Sequence, residues 1–223
     1  RKRGLRLFEF TTTATFYDHV PGLYLRTTFT NTAHDHRLRA HLHTGINSAH
    51  VLTNSAFAIR EQEVGEIHAM QTLCAVQNQT DSLALLTRGL PDVESFKEQD
   101  QVTLALTLAR SVGWLSKNDI PHRAHAPAPQ IATPDGQLER TMTAEYCLLA
   151  TPPNDNAALV RAAQTFSAPL QAFQYDARPE RPRKSYLSIV SDMAIGGESD
   201  GNGAIVTALK PPMRGKGWIV RLF

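Results

Sequence analysis

Val102-Thr103-Leu104-Ala105-Leu106-Thr107-Leu108-Ala109-Arg110 is the stretch on which the fold class turns. Val102, Leu104, Leu106 and Leu108 alternate with Thr103, Ala105, Thr107 and Ala109, the period of a β-strand. The second face carries only small residues, so this reads as a strand covered on both sides. Working outward, Leu23 to Thr30 and Thr141 to Leu148 alternate in the same way, each with one drier face, and so does Leu5 to Phe10. Further strands are expected at Leu73–Gln77, Leu83–Thr87, Ser185–Val190, Ala204–Leu209 and Trp218–Phe223.

Turn signals separate these runs: Pro21-Gly22, Thr44-Gly45, Pro91-Asp92, Pro134-Asp135-Gly136, Gly196-Gly197 and Asp200-Gly201-Asn202-Gly203. Many strands with such punctuation and little helical periodicity point to an all-β sandwich or barrel. One helix is expected from Asn154 to Gln164, with Pro152-Pro153 before it, Asn154 as its cap and an alanine-rich body. Lys117 to Pro134, with four prolines, cannot join a central ladder and reads as a long surface loop. Tyr175 to Arg183 is a second excursion of that kind.

The chain has 223 residues, 42% of them hydrophobic and 20% charged, enough for a sizeable core. A formal net charge of +2 gives no reason to expect nucleic acid as a partner. No apolar run approaches the ~18 residues of a membrane span, and no secretory leader is seen, so a cytoplasmic location is expected. Cys74 and Cys147 read as buried small hydrophobes, and no C-x-x-C pair exists. Arg1 to Arg6 at one end and the apolar Trp218 to Phe223 at the other read as cut ends, whose exposed edge would favour self-association.

His34, Asp35, His36, His41 and His43 offer five potential metal ligands, and on a strand His41 and His43 would share a face. Arg37 and Arg39 lie among them and repel a divalent ion, so no metal site is assigned. Asp92, Glu94 and neighbouring carboxylates fall in apparent turns, and nothing pairs any two of them as a glycosidase would require. Neither a nucleophile elbow nor a phosphate-binding glycine loop is present, and no catalytic residue is assigned.

Six segments, in order, resemble the carboxy-terminal β-domain of α-mannosidases of glycoside hydrolase family 38, in particular its bacterial, mannosylglycerate hydrolase-like branch. They are Asp35-His36-Arg37-Leu38-Arg39, Ala84 to Pro91, Leu108 to Ser116, Pro129 to Gln137, Val206 to Pro211 and Gly217 to Leu222. The resemblance implies an antiparallel supersandwich of the galactose mutarotase-like type over residues 1–168, followed by strands of a smaller β-subdomain over 169–223. It also implies a full-length enzyme that hydrolyses α-mannosides with retention. The aspartate nucleophile, the proton donor and the zinc would belong to an amino-terminal catalytic domain against which this region packs. Arg88, in Thr87-Arg88-Gly89, resembles the place where an arginine of the β-domain reaches the substrate cleft. The alternatives are a free-standing carbohydrate-binding sandwich, disfavoured because Trp114 and Trp218 read as core, or a mutarotase-like epimerase using His41, His43 and Glu145.

Overall fold

A computed structural model describes residues 8–47, 49–56, 58–118, 128–169, 171–172, 174 and 206–222. The described elements, in order, are β1 (Phe10–Tyr17), β2 (Val20–Thr30), β3 (Arg37–Asn47), β4 (His50–Asn54), β5 (Ile59–Gln62), β6 (Ile67–Ala69), β7 (Leu73–Gln77), β8 (Ser82–Arg88), β9 (Asp92–Glu98), β10 (Gln101–Arg110), a 3-10 turn (Pro134–Gln137), β11 (Thr141–Ala150), α1 (Asn156–Ser167), β12 (Val206–Lys210) and β13 (Ile219–Leu222). Seven strands form the larger sheet in the order β1-β2-β11-β8-β7-β4-β5, four form the smaller sheet in the order β3-β10-β9-β6, and β12 pairs with β13 apart from both. All pairings are antiparallel. The all-β sandwich with one helix that the alternation implies is the observed architecture.

The two sheets close on a core of Val51, Cys74, Val76, Leu85, Val93, Val102, Leu104, Leu106 and Tyr146. The other face of the larger sheet presents Leu52, Leu73, Ala75, Ala84, Leu86 and Cys147, and α1 covers these with Leu159, Ala163 and Phe166. The molecule is therefore layered as small sheet, large sheet, helix. The helix starts at Asn156, not at Asn154, and its cap is Asp155, whose side chain accepts from the Ala158 N–H at 2.7 Å. Asn154 is displaced from that role because it turns left-handed, at φ 60°, and donates its backbone N–H to Gln77.

Four features differ from the sequence expectations. Phe10–Tyr17 is a strand, whereas of the expected run Leu5–Phe10 residues 5–7 lie outside the described residues and Phe8 and Glu9 precede the strand. Thr44-Gly45 and Pro21-Gly22 do not end strands: Gly45 (φ 72°) and Gly22 (φ 113°) sit inside β3 and β2 and absorb irregularities without breaking the ladder. Asp92-Val93-Glu94 is not a turn but the start of β9. The strand expected at Ser185–Val190, the excursion Tyr175–Arg183 and the turns at Gly196-Gly197 and Asp200–Gly203 lie outside the described residues, as does part of the Lys117–Pro134 loop.

The outward face of the smaller sheet explains how β10 is buried on both sides. Thr103, Ala105 and Thr107 point away from the core yet are buried. They stand opposite His43, His41 and Arg39 of β3, while Phe96 and Glu94 of β9 flank Thr103 and Ala105 from the other side. The long side chains of the flanking strands fold over the small ones. Arg37 pairs with Asp92 and donates from Nε to Thr107 Oγ1 at 2.8 Å, Arg39 pairs with Glu94, and His43 Nδ1 lies 3.0 Å from Glu98.

Three of the segments that carry the family resemblance meet in one knot at the end of the sandwich. Asp35, left-handed at φ 49°, accepts at Oδ1 from the Gly113 N–H (2.9 Å) and from Gln137 Nε2 (3.1 Å), and its own N–H donates to Gln137 Oε1. The carboxylate thus bonds across the fold and not to its neighbours His36 and Arg37. Ser111 Oγ accepts from the His36 N–H and lies 2.8 Å from His36 Nδ1. Buried Asn31 donates to the Gln137 carbonyl at 2.8 Å. A Cβ at 113 would sit 2.5 Å from Gln137 Nε2, so a larger residue there would push the Gln137 amide away from Asp35.

Two predictions come from this framework. The Gln137 side chain first, then the Gly113 N–H, hold the Asp35 carboxyl below its ordinary range. The stability this supplies is complete above the ordinary carboxylate pKa and is lost as the pH falls through Asp35's lowered value. Asp35→Asn keeps a residue that tolerates the left-handed backbone. It should be less stable than wild type in urea at pH 7, with the gap closing in acid; a gap constant with pH would contradict the assignment. Cys74 and Cys147 are free and buried, and desolvation pushes their thiols up to about 12 and about 11. Neither should react with a thiol reagent at neutral pH until the protein is unfolded, and rapid labelling of the native protein would contradict their burial.

Candidate functional site

Arg88 lies at the end of β8, on the face of the larger sheet that carries α1. The helix packs chiefly on β8 and β7, and only its last turn reaches Cys147 of β11 and Tyr24 of β2, so a step forms where the helix stops and the sheet continues. A cleft of about 410 Å³ occupies this step, lined by Thr13, Thr15, Tyr17, Tyr24, Leu25, Arg26, Arg88, Glu145, Tyr146 and Phe166. The register builds it: Glu145 of β11 stands between Arg88 of β8 and Arg26 of β2, and Thr13 of β1 stands opposite Arg26.

The polar floor is a shared carboxylate. Arg88 Nη1 donates to Glu145 Oε2 at 2.8 Å, and Arg26 Nη1 lies 3.5 Å from Glu145 Oε1. Arg88 Nε donates to the Phe166 carbonyl at 2.8 Å, and its guanidinium carbon stands 4.6 Å from the centre of the Phe166 ring. This places a cation on the last turn of α1, where the helix carbonyls need donors and the dipole favours positive charge. The Arg88 head is therefore held by three groups and does not hang free in water. The aromatic wall is Tyr17 edge-on to Tyr24 (5.2 Å between centroids), with Tyr24 in turn 6.0 Å from Phe166. Burial, first, and then the neighbouring Cys147 and Tyr17 push the Tyr24 hydroxyl above its ordinary pKa, so it is a neutral donor at physiological pH.

Sequence reasoning reached Arg88 and Glu145 by separate routes, and the fold brings the two together. It missed Tyr17, Tyr24 and Arg26. Alternation shows that Tyr24 and Arg26 share a face of β2, but not that this face overhangs the helix end.

The histidines do not converge. His34 pairs with Glu139, His36 with Ser111, His41 stands edge-on to Phe96 at 5.6 Å, and His43 contacts Glu98 and Thr103. Among the described residues no three His, Cys, Asp or Glu side chains come together as a metal site. His41 and His43 project from the outward face of the smaller sheet, while Glu145 projects toward the helix side of the larger one. A His/Glu acid–base pair across one cleft, as the epimerase reading needs, is not formed by these residues. Trp114 and Trp218 are not core: they are 43% and 70% exposed, because one lies in the loop after β10 and the other immediately before β13, in a hairpin that neither sheet of the sandwich includes. Val112, Leu115 and Ile131 are exposed beside Trp114, which pairs with Ala132 across the loop. No described helix is long and apolar enough to cross a membrane.

Arg88→Ala removes the carbonyl bond, the ring contact and one Glu145 bond together. It should lower stability by about 1–2 kcal/mol in chemical denaturation, with Arg88→Lys intermediate.

No family model matches the chain. It is 27% identical over 219 residues to a putative mannosylglycerate hydrolase of Halalkalibacterium halodurans, an alignment covering 91% of this chain and 21% of that protein. Its fold is similar to that of a glycosyl hydrolase family 38 protein from Enterococcus faecalis, with a TM-score of 0.63 and 26% identity over 74% of this chain and 19% of that one. An α-mannosidase from Enterococcus faecalis V583 is similar to the same degree, with a TM-score of 0.62 and 26% identity over 74% of this chain and 18% of that one. The chain thus spans about a fifth of the relatives it matches. In both sequence and fold it resembles a part of glycoside hydrolase family 38 enzymes, the α-mannosidases.

Proposed function

We propose that the chain is the carboxy-terminal, non-catalytic β-domain of a retaining α-mannosidase. In this reading it packs against an amino-terminal catalytic domain, helps to shape the mannoside-binding cleft, and brings Arg88 to the substrate. The observation that carries it is the likeness, in sequence and fold alike, to a fifth of enzymes of this class. The chain's own chemistry agrees. Its carboxylates at Asp92, Glu94 and Glu145 are engaged by arginines, and its described histidines form no metal site. In this reading the zinc of such an enzyme belongs to the catalytic domain.

The Arg88 cleft supplies what a sugar-contacting wall needs: aromatic faces, guanidinium donors, a carboxylate acceptor and threonine hydroxyls. The exposed apolar group of Val112, Trp114, Leu115 and Ile131 is a surface on which the rest of the polypeptide would pack. A second reading, a free-standing carbohydrate-binding sandwich, gains from the exposure of Tyr17, Trp114 and Trp218. It requires the isolated chain to hold mannosides without help.

The test compares the isolated chain with the longer polypeptide from the same reading frame on an aryl α-mannoside. The isolated chain should be inactive and show no saturable mannoside binding, and the longer polypeptide should turn over. In the latter, Arg88→Ala should lower kcat/KM by about tenfold or more. Glu145→Gln loosens Arg88 without removing it, so an equal loss in that variant would assign Arg88 to anchoring alone. Turnover by the isolated chain would overturn the non-catalytic assignment, and mannoside binding by it would favour the second reading.

A further inference from the structure

Among the described residues the two sheets of the sandwich have four edges between them, and three of the four are protected. On β3 the guard is charge, with Arg37 and Arg39 along the strand. On β5 only four residues are present, including Arg60 and Glu61, and β6 has only three. The fourth edge is β1, and it has none of these devices. Its eight residues, Phe-Thr-Thr-Thr-Ala-Thr-Phe-Tyr, include no charge, proline or glycine, and all but Thr15 are exposed. Phe10 is 64% exposed and Phe16 76%. Soluble proteins guard strands of this kind, because the outward row of N–H and C=O groups templates another strand.

The strand also complements itself. About a twofold axis at Thr13, an antiparallel second copy sets Phe10 opposite Phe16, Thr11 opposite Thr15, and Thr12 opposite Ala14. The faces agree. Phe10, Thr12 and Ala14 stand against Phe29, Thr27 and Leu25 of β2, so they share the sandwich side of the sheet, and alternation puts Phe16 there too. Both Phe10–Phe16 pairs of a dimer would then lie on one face, and the threonine pairs on the other. Aromatic and threonine cross-strand pairs are among the favourable ones. With no charge on the strand, nothing opposes a like copy.

We infer that β1 is a homotypic interface, through which two copies of this chain pair antiparallel about Thr13 and join their larger sheets into one. The interface is isologous and closes at two copies, which consumes the unguarded edge without leading to open fibres. The pairing does not depend on the mannosidase reading.

Sedimentation velocity on the full 223-residue chain tests it with two variants. Wild type should be a dimer. Phe10→Lys with Phe16→Lys puts lysine opposite lysine at both ends of the pairing and should raise the dimer dissociation constant by about tenfold or more. Its circular dichroism should not change, since both side chains already face solvent. Phe10→Glu with Phe16→Lys sets opposite charges across the twofold and should restore a dimer, now sensitive to salt. A wild type that stays monomeric at high concentration would overturn the proposal. So would a dimer unaffected by the double lysine variant, which would place association at the Trp114 surface or at β13. Failure of the Glu/Lys variant to dimerise better than the double lysine variant would overturn the register.

Discussion

The central strands β7 and β8 carry apolar side chains on both faces, so neither face of the larger sheet can be left to water there. Cys74, Val76 and Leu85 face the smaller sheet, and Leu73, Ala75, Ala84 and Leu86 face the helix, all of them buried. Each side chain of this size withdrawn from water is worth about 1–3 kcal/mol before ordering costs are counted. The smaller sheet satisfies one side, and α1, the single helix of the described chain, satisfies the other. Because the helix is only twelve residues long, it covers the middle of the sheet and touches the β2–β11 flank only at its end, through Cys147 and Tyr24. The Arg88 cleft is the geometric consequence. It is the step left where a short helix ends on a wide sheet, and Arg88 is the residue that ties the end of the helix to the sheet floor through the Phe166 carbonyl and Glu145.

Much of the fold could be read from alternation alone. The run from Val102 to Arg110 is a strand buried on both sides, as its small second face implies, and Leu73–Gln77 falls where expected. Alternation failed where strands are polar or where glycine sits inside them. Phe10–Tyr17 is a threonine-rich edge strand with no dry face to give a pattern, and Asp92–Glu98 hides behind a proline and two carboxylates that look like a turn. Those carboxylates are drawn onto a strand by the arginines of β3 two strands away, a pairing that no local rule contains. The same limit explains the tryptophans: an apolar neighbourhood in sequence does not say which layer is available to cover it.

The site was legible only in part, for a related reason. Arg88 stood out through its setting in Thr87-Arg88-Gly89, and the structure gives that setting a local cause. Gly89 takes φ 66°, and Thr87 Oγ1 donates to the Leu90 carbonyl, which turns the chain sharply after the arginine. Tyr24, Arg26 and Glu145 become neighbours of Arg88 only through the registers of three non-consecutive strands. By contrast, the histidine-rich segment was conspicuous in sequence and is dispersed in space, because β3 sends His41 and His43 to the outward face while His36 belongs to the turn that starts it.

The segments by which the chain resembles its relatives are, at the Asp35, Ser111 and Gln137 knot, parts that bond to one another. Asp35 needs both Gly113 and Gln137, and Gly113 must lack a side chain for Gln137 to approach. Residues joined in this way close one end of the sandwich. The outward face of the smaller sheet is likewise finished on its own terms, since Arg37, Arg39, Asp92 and Glu94 satisfy one another. Among the described residues the exposed apolar side chains lie elsewhere, along β1 and around Trp114, while aromatic rings and guanidinium groups line the cleft at the helix end. Side chains held by their neighbours, as Arg88 is by Glu145 and the Phe166 carbonyl, lose little entropy when they are covered, whereas a free arginine would have to be ordered first.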